Sequence, residues 1–437
     1  VPGTFLLVGV LYLLFSVGFT SMSRFVGSAG GFYPYISTGL GKPGGVAGAF
    51  IALLTYNAID VAVYGLFGFF ANSMLSSLGA YDPPWWLFAA LLSVAVYFCG
   101  RRNIAFSGTL LGVCMLAEIA ILLLLGLAIL IHGGGPERIS ATPFGPSAIF
   151  GPGFGVSLVF VVASFIGFEA TVIFGEEARD PRRTIPRATY IAVLLIAGFY
   201  AFVTWTISLY YGPAHIAKEA TDNTATLYLT ATAAILGPLP ATAMKLLLMT
   251  SLFACALSFH NTINRYFYAL AREGLAWSGF ARTCATHQSP HIAGRIQTLL
   301  ALGITALLAL AHQDPYAVVF SWAATLTSLG ILVVQVMVSC AVVAFFFKDT
   351  RGVSWWHWLA APILSGAGLF ACLVLMIANL SLVSGSDSPI VRSFPFVIGA
   401  TGLLGAIVAL WLRWKNPPVY QNLGRFFAAG ALSGEAD

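Results

Sequence analysis

The stretch LLGVCMLAEIAILLLLGLAILI, residues 110–131, carries one ionisable side chain, Glu118. About 20 mostly apolar residues suffice to cross a bilayer as a helix. Runs of this kind recur along the 437 residues, which are 59% hydrophobic and only 8% charged, against roughly 25% charged residues in an average soluble domain. Inside lipid every backbone N–H and C=O must find a partner, which leaves helices or closed barrels. The Phe, Leu, Val and Ala residues are spread around each run without the ten-residue alternation of barrel strands, which argues for helices. The expected class is an all-α integral membrane protein.

The apolar runs predict eleven transmembrane helices, at 3–23, 46–71, 85–100, 104–131, 153–175, 188–211, 240–271, 294–311, 316–347, 356–383 and 390–412. An odd number sets the two termini on opposite sides, and the Lys/Arg bias decides which side faces the cytoplasm. Of the 21 Lys and Arg residues only Arg138, Lys218, Lys245 and Arg392 fall on one side, so the side holding the other 17, with the C-terminus, is expected to be cytoplasmic. The net charge of +5 therefore reports orientation and gives no reason to expect nucleic-acid binding. The loops leave no room for a soluble domain, so residues 1–437 read as one transmembrane unit with a cytoplasmic tail at 413–437. The outer connection 212–239 is polar enough for a small surface helix. No basic region precedes VPGTFLLVGVLYLLF and no small-residue cleavage site follows it, so no cleavable signal is expected. An external start without one fits a helix that belongs before residue 1.

Several function classes lose support. The six cysteines lack CxxC spacing, so neither a zinc site nor a disulfide framework is expected, and no metal or cofactor is assigned. GLGKPG at 39–44 satisfies GxGxxG but lies between two membrane helices, and Lys42 is followed by Pro43 where a P-loop needs Ser or Thr. The seven histidines, at 132, 215, 260, 287, 291, 312 and 357, are scattered mostly over loops on both sides, which argues against a membrane enzyme.

The most informative segment is SFIGFEATVIFGEEARDPRRTIPRA, residues 164–188, where Gly167 and Glu169 interrupt an apolar run before a charge cluster. A helix that breaks at Gly167 exposes peptide groups that must be satisfied by protein, water or a ligand. Such half-helix ends build the midplane sites of many secondary transporters. Glu169 near mid-span costs about 2.5–3.5 kcal/mol on insertion scales, which marks it as a functional candidate; a kinked helix with a tethered carboxyl is the structural alternative. Asp60, one turn from Asn57, and Glu118 are two further acids in apolar spans, each either a proton carrier or an interhelical tether. His260 is expected to be a satisfied structural histidine, and Lys245 to snorkel to the interface. Pro186 is expected in the first turn of the next helix.

The same segment resembles the sixth helix and following cytoplasmic loop of the amino acid/polyamine/organocation permease superfamily. GSAGGFYPYISTGLG (27–41) is similar to that family's loop and short helix between helices two and three, LTYNAIDVAVYGLFG (54–68) to helix three, and INRYFYALAREGLAW (263–277) to the end of helix eight. The resemblance implies a LeuT-like inverted-repeat bundle of five plus five helices and two more, with the eleven spans as helices two to twelve: residues 3–131 the rest of the first repeat, 153–347 the second, and 356–412 the additional pair. It also implies that the family's glycine-rich first helix, half of the expected site, is not among these residues.

Carried over residue by residue, the resemblance places Ser164, Phe165, Ile166, Gly167 and Phe168 at the broken helix. The Ile166 carbonyl is then a partner for a substrate ammonium, and Phe165 or Phe168 a gate. Glu169 is placed where it exchanges a proton or stabilises the unwound backbone, and Asn57 and Phe259 at cavity-lining positions. Glu176, Glu177, Arg179, Arg182, Arg183 and Arg272 become candidates for paired charges at a cytoplasmic gate. The expected function is secondary transport of an amino acid or related amine across the cell membrane by alternating access, proton-coupled or by exchange. The alternatives are a non-transporting remnant or sensor of the same family, and a polyamine- or ethanolamine-type amine transporter.

Overall fold

The computed structural model describes residues 1–26, 31–76, 79, 83–101, 104–151, 153–173, 180–284 and 289–424. The described residues contain helices and no strands. The first part of the chain forms α1 (Pro2–Ser23), the short α2 (Phe32–Leu40), the long α3 (Lys42–Ser76), α4 (Trp85–Arg101) and α5 (Ile104–Ile131). A connecting stretch holds the one-turn α6 (Pro146–Ile149). Then come α7 (Phe154–Ser164), the single turn α8 (Ala170–Ile173) and α9 (Pro181–Tyr211). The connection to the next long helix folds into α10 (Ile216–Asp222) and α11 (Leu227–Ile235), two helices where the sequence suggested one. The rest comprises α12 (Pro238–Arg272), α13 (His291–Leu310), α14 (Ser321–Lys348) entered through a π turn at Pro315–Phe320, α15 (Ala361–Ala378), the short α16 (Leu380–Ser384) and α17 (Pro389–Arg392), α18 (Phe394–Lys415) and α19 (Pro417–Asn422).

Nine helical segments among the described residues are long and apolar enough to cross a membrane. They fall on nine of the eleven expected spans. The other two expectations correspond to shorter apolar helices, α4 of 17 residues and α7 of 11; at 1.5 Å per residue α7 extends only about 17 Å. The expected span 356–383 is also divided, because helix α15 ends at Ala378 and Asn379 stands outside helical geometry at φ −112° and ψ 25° before α16. Pro186 lies inside α9 and not in its first turn, which Pro181 occupies. Asp180 precedes it, and its carbonyl accepts from Thr184 N at 2.8 Å.

Large apolar side chains on α5, α9, α13 and α18, among them Leu116, Leu195, Leu307 and Leu403, are exposed. In lipid that surface has no solvation cost, so helix association relies on close packing and interhelical polar contacts. Two glycines show the packing. A Cβ on Gly39 of α2 would lie within 2.2 Å of the Ala341 carbonyl oxygen of α14, and one on Gly405 of α18 within 2.7 Å of the Val46 carbonyl of α3. The second glycine of GLGKPG, Gly41, ends α2 at φ +88° and lets α3 start at Lys42, so the motif is a turn between helices. The central core joins α1, α2, α3, α7, α9, α12, α14 and α15.

The chain after α18 is docked up to Gly424. Lys42 Nζ donates to the carbonyls of Tyr420 and Gln421, both at 2.6 Å, and stands 4.9 Å from the Tyr420 ring centre. Gly424 N donates to Glu273 Oε1 at 2.9 Å, while Glu273 Oε2 accepts from the Tyr33 hydroxyl of α2. Leu423 is buried with Tyr33, Val46 and Leu270. Glu273 caps α12 just beyond its last helical residue, and burial there pushes its carboxyl above the ordinary range, although the Tyr33 hydroxyl, the Gly424 amide and Lys42 pull the other way.

Candidate functional site

Helix α7 stops at Ser164 and helical geometry resumes at Ala170. Between them the backbone makes short three-residue turns: Phe165 N donates to Val162 O at 3.0 Å, Ile166 N to Ala163 O at 3.1 Å and Phe168 N to Phe165 O at 3.3 Å. Gly167 sits at φ +105°, a region that penalises any Cβ, and a Cβ built there meets nothing within 4 Å. The glycine is therefore required by the backbone and not by crowding. Its amide leaves the helical ladder and donates to Glu169 Oε2 at 3.0 Å.

Glu169 is 1% exposed, and its other oxygen, Oε1, accepts from the Tyr56 hydroxyl of α3 at 2.7 Å. One carboxylate thus holds the unwound amide and ties the interruption to α3. Tyr56 packs on Tyr266 of α12 with ring centres 5.4 Å apart, and on Phe259 at 6.3 Å. The Tyr266 hydroxyl accepts from Phe32 N at 3.2 Å, where α2 begins. On the opposite flank Phe165 stacks on Tyr12 of α1, with centres 4.6 Å apart and planes 7° from parallel. Tyr12 in turn donates to Gln335 Oε1 of α14 at 3.0 Å. Five helices and the interruption therefore converge through aromatic rings and carboxyl or amide groups.

The other sequence candidates fall in several places. Phe165 and Phe168 are both buried in the aromatic cluster with Tyr12, Phe15 and Phe19. Ile166 is half-buried beside it. Ser164 donates to Phe160 O of its own helix at 2.8 Å, and Asn57 donates to Leu53 O of its own helix at 2.8 Å. Asp60 does not join Asn57; it is fully buried and accepts from Gln297 of α13. Glu118 is half-buried on α5 facing Ser251 of α12. His260 differs from expectation, since its Nδ1 is buried without a partner. Of the gate candidates, Glu176, Glu177 and Arg179 lie outside the described residues, as does the side chain of Arg182. Arg183 pairs with the nearby Asp180 at 3.7 Å on an exposed surface, and Arg272 stands 5.4 Å from the Tyr268 ring centre. Among the described residues no group of three His, Cys, Asp or Glu side chains could hold a metal. An open cleft of about 530 Å³ lies elsewhere, lined by His132, Gly135, Tyr210, Tyr211 and Ile235.

Residues that sequence reasoning passed over are Tyr12, Tyr56, Tyr266, Gln297 and Gln335. Gln297 and Gln335 carried a signal, because each is an amide inside an apolar run. The tyrosines carried none, since phenols are ordinary in such helices.

A family model described as Amino acid permease matches residues 4–419. Over 355 residues the chain is 23% identical to the low-affinity putrescine importer PlaP of Escherichia coli (strain K12), covering 79% of this chain and 73% of that protein. It is 27% identical over 290 residues to cationic amino acid transporter 4 of Mus musculus, covering 63% of this chain and 42% of the mouse protein. It is 28% identical over 223 residues to the branched-chain amino acid permease BcaP of Lactococcus lactis, covering 46% of each.

Proposed function

This chain belongs to the amino acid permease family, a multi-pass membrane transporter and not an enzyme, and on that premise we propose that it moves an amino acid or related amine across the cytoplasmic membrane by alternating access. The observation that carries this is the interruption between Ser164 and Ala170, with Gly167 at φ +105° and Glu169 drawn across to it. Peptide groups freed from a helix inside a membrane are available to a small polar solute. In the proposed cycle the Ile166 carbonyl takes the solute's ammonium, while Asn57 and Phe259 border the cavity. Phe165 and Phe168 are packed against Tyr12, so gating by either ring requires it to leave that cluster. A putrescine importer, a cationic amino acid transporter and a branched-chain amino acid permease among the relatives all have names that imply solutes bearing an ammonium group, which supports the substrate class.

The proposed architecture is the LeuT-like five plus five arrangement with two further helices, in which the shorter α4 and α7 complete eleven spans. The basic end of the bundle, with the docked segment after α18, then faces the cytoplasm. Transport is driven by a proton gradient or by exchange. The test is uptake of radiolabelled leucine, arginine and putrescine into vesicles holding the purified chain. Saturable uptake of at least one, reduced by Gly167→Ala, is the expected result; no flux of any would remove the proposal.

A further inference from the structure

Three acids, Asp60, Glu118 and Glu169, lie within the apolar spans expected from the sequence, and their hydrogen bonds separate them. Glu169 has a donor on each oxygen, Tyr56 at 2.7 Å and Gly167 N at 3.0 Å. Each of its oxygens therefore already has a donor from the protein. Glu118 is only half-buried.

Asp60 is different. It is 0% exposed, and its Oδ2 accepts from Gln297 Nε2 at 3.1 Å, but its Oδ1 has no partner within hydrogen-bond distance; the buried Tyr64 hydroxyl, also without a partner at that distance, faces the same carboxyl. Gln297 is 1% exposed and its Oε1 has no partner either. A carboxylic acid and a primary amide pair through two hydrogen bonds, amide N–H to one acid oxygen and acid O–H to the amide carbonyl. The structure holds the first bond, and the two atoms of the pair itself left over are the two that the second bond joins. One proton on Oδ1 satisfies both, and it also removes a bare charge that would otherwise be costly in so apolar a setting. Exchanging the two ends of the Gln297 amide does not remove the need, because its oxygen would then face Oδ2 and again require a proton between them.

The surroundings supply no counter-ion. The titratable side chains facing Asp60 are Tyr64 of α3 itself and Cys255 of α12. α4 contributes Ser93, whose hydroxyl donates to Ala89 O at 3.0 Å. His260 of α12 borders the cluster between Gly100 of α4 and Gly294 of α13. α14 meets α3 through Thr327, which donates to Thr55 O at 3.3 Å. No Lys or Arg among the described residues stands beside the carboxyl. A metal cation would need a shell of several oxygens, whereas a proton needs two.

We propose that Asp60 and Gln297 form a proton-binding acid–amide pair, and that this pair, not Glu169, carries the proton coupled to transport. The coupling role rests on the transport function proposed above; the protonated pair does not. The proton enters on Asp60 Oδ1, bridges to Gln297 Oε1, and leaves to the opposite side when the pair separates.

Two measurements test it. In the infrared spectrum of the purified full chain at neutral pH, a protonated-carboxyl band should be present, lost in Asp60→Asn and displaced in Gln297→Met. The second variant keeps the test open if the first does not fold. In vesicles with an imposed pH gradient and labelled leucine, arginine or putrescine, Asp60→Asn should lose gradient-driven accumulation and solute-dependent proton uptake, with solute exchange still measurable. The absence of the band, or a band untouched by both substitutions, overturns the proposal. So does accumulation by Asp60→Asn equal to wild type, or accumulation that requires sodium. Failure of the transport function looks different: wild-type vesicles that move none of the three solutes while the Asp60 band remains.

Discussion

The Tyr56 hydroxyl of α3 donates to Glu169 across the interruption that follows α7, and the same carboxylate receives the Gly167 amide, at 2.7 Å and 3.0 Å. Removing the phenol oxygen leaves a fully buried carboxylate oxygen without its donor. Hydrogen bonds to charged groups contribute roughly 1.5–3 kcal/mol, so Tyr56→Phe is expected to lower the thermal unfolding midpoint of the detergent-solubilised protein and to reduce uptake. An unchanged midpoint would show that the contact contributes nothing.

Glycine positions give a paired prediction. At Gly167 the backbone has φ +105° with open space around a Cβ, so Gly167→Ala should cost about 1–3 kcal/mol from strain alone. Gly303 lies inside α13, also with nothing within 4 Å of a Cβ but without a positive φ. Gly303→Ala should stabilise by up to about 1 kcal/mol through helix propensity. Unfolding midpoints moving in opposite directions are the check, and a shared direction would contradict the backbone argument.

Phe165 is 0% exposed and stacked on Tyr12. Truncation to alanine leaves a cavity against Tyr12 of α1, with an expected loss of about 3–5 kcal/mol. Phe165→Leu should recover part of it. If Phe165→Ala changes transport kinetics and leaves the unfolding midpoint alone, the ring acts as a gate and not as packing.

The docked segment after α18 depends on Lys42, whose ammonium spans two carbonyls at 2.6 Å each. Lys42→Met keeps the aliphatic stem and removes both bonds. Limited proteolysis should then cut between Asn416 and Gly424 faster than in wild type, while the membrane-embedded helices stay protected.

Glu273 gives a pH dependence with a definite sign. Burial raises its carboxyl in the folded protein, above the unfolded value of about 4.3. The folded state then binds more protons than the unfolded state between the two values. Its contribution to stability is therefore full below about pH 4.3 and lost as pH rises through the folded value. Unfolding midpoints across that window should fall with pH in wild type and flatten in Glu273→Gln; equal slopes would assign the dependence elsewhere.

Much of the fold was legible because lipid makes strict local demands. The runs that formed α1, α3, α5 and α12 were visible by length and hydropathy, and Gly167 near Glu169 marked an irregularity inside one run. The division at Asn379 and the helical position of Pro186 were not visible, because both depend on neighbours that override local preference. Lys42 appeared as a topology signal within GLGKPG, with no hint that it clasps Tyr420 and Gln421.

The sequence by itself determined that this chain is a helical membrane protein, and it drew attention to a glycine and an acid in mid-span. Both follow from local physics: apolar length, and backbone groups that cannot go unpaired in lipid. Only the tertiary structure decided that Glu169 bonds Tyr56, that Asp60 bonds Gln297 and that Phe165 stacks on Tyr12. A helix apolar around its whole circumference has no polar stripe to tell its inner face from its lipid face. Partner choice then rests on the rotation and crossing of helices far apart in sequence, as for Tyr56 and Glu169, separated by 113 positions.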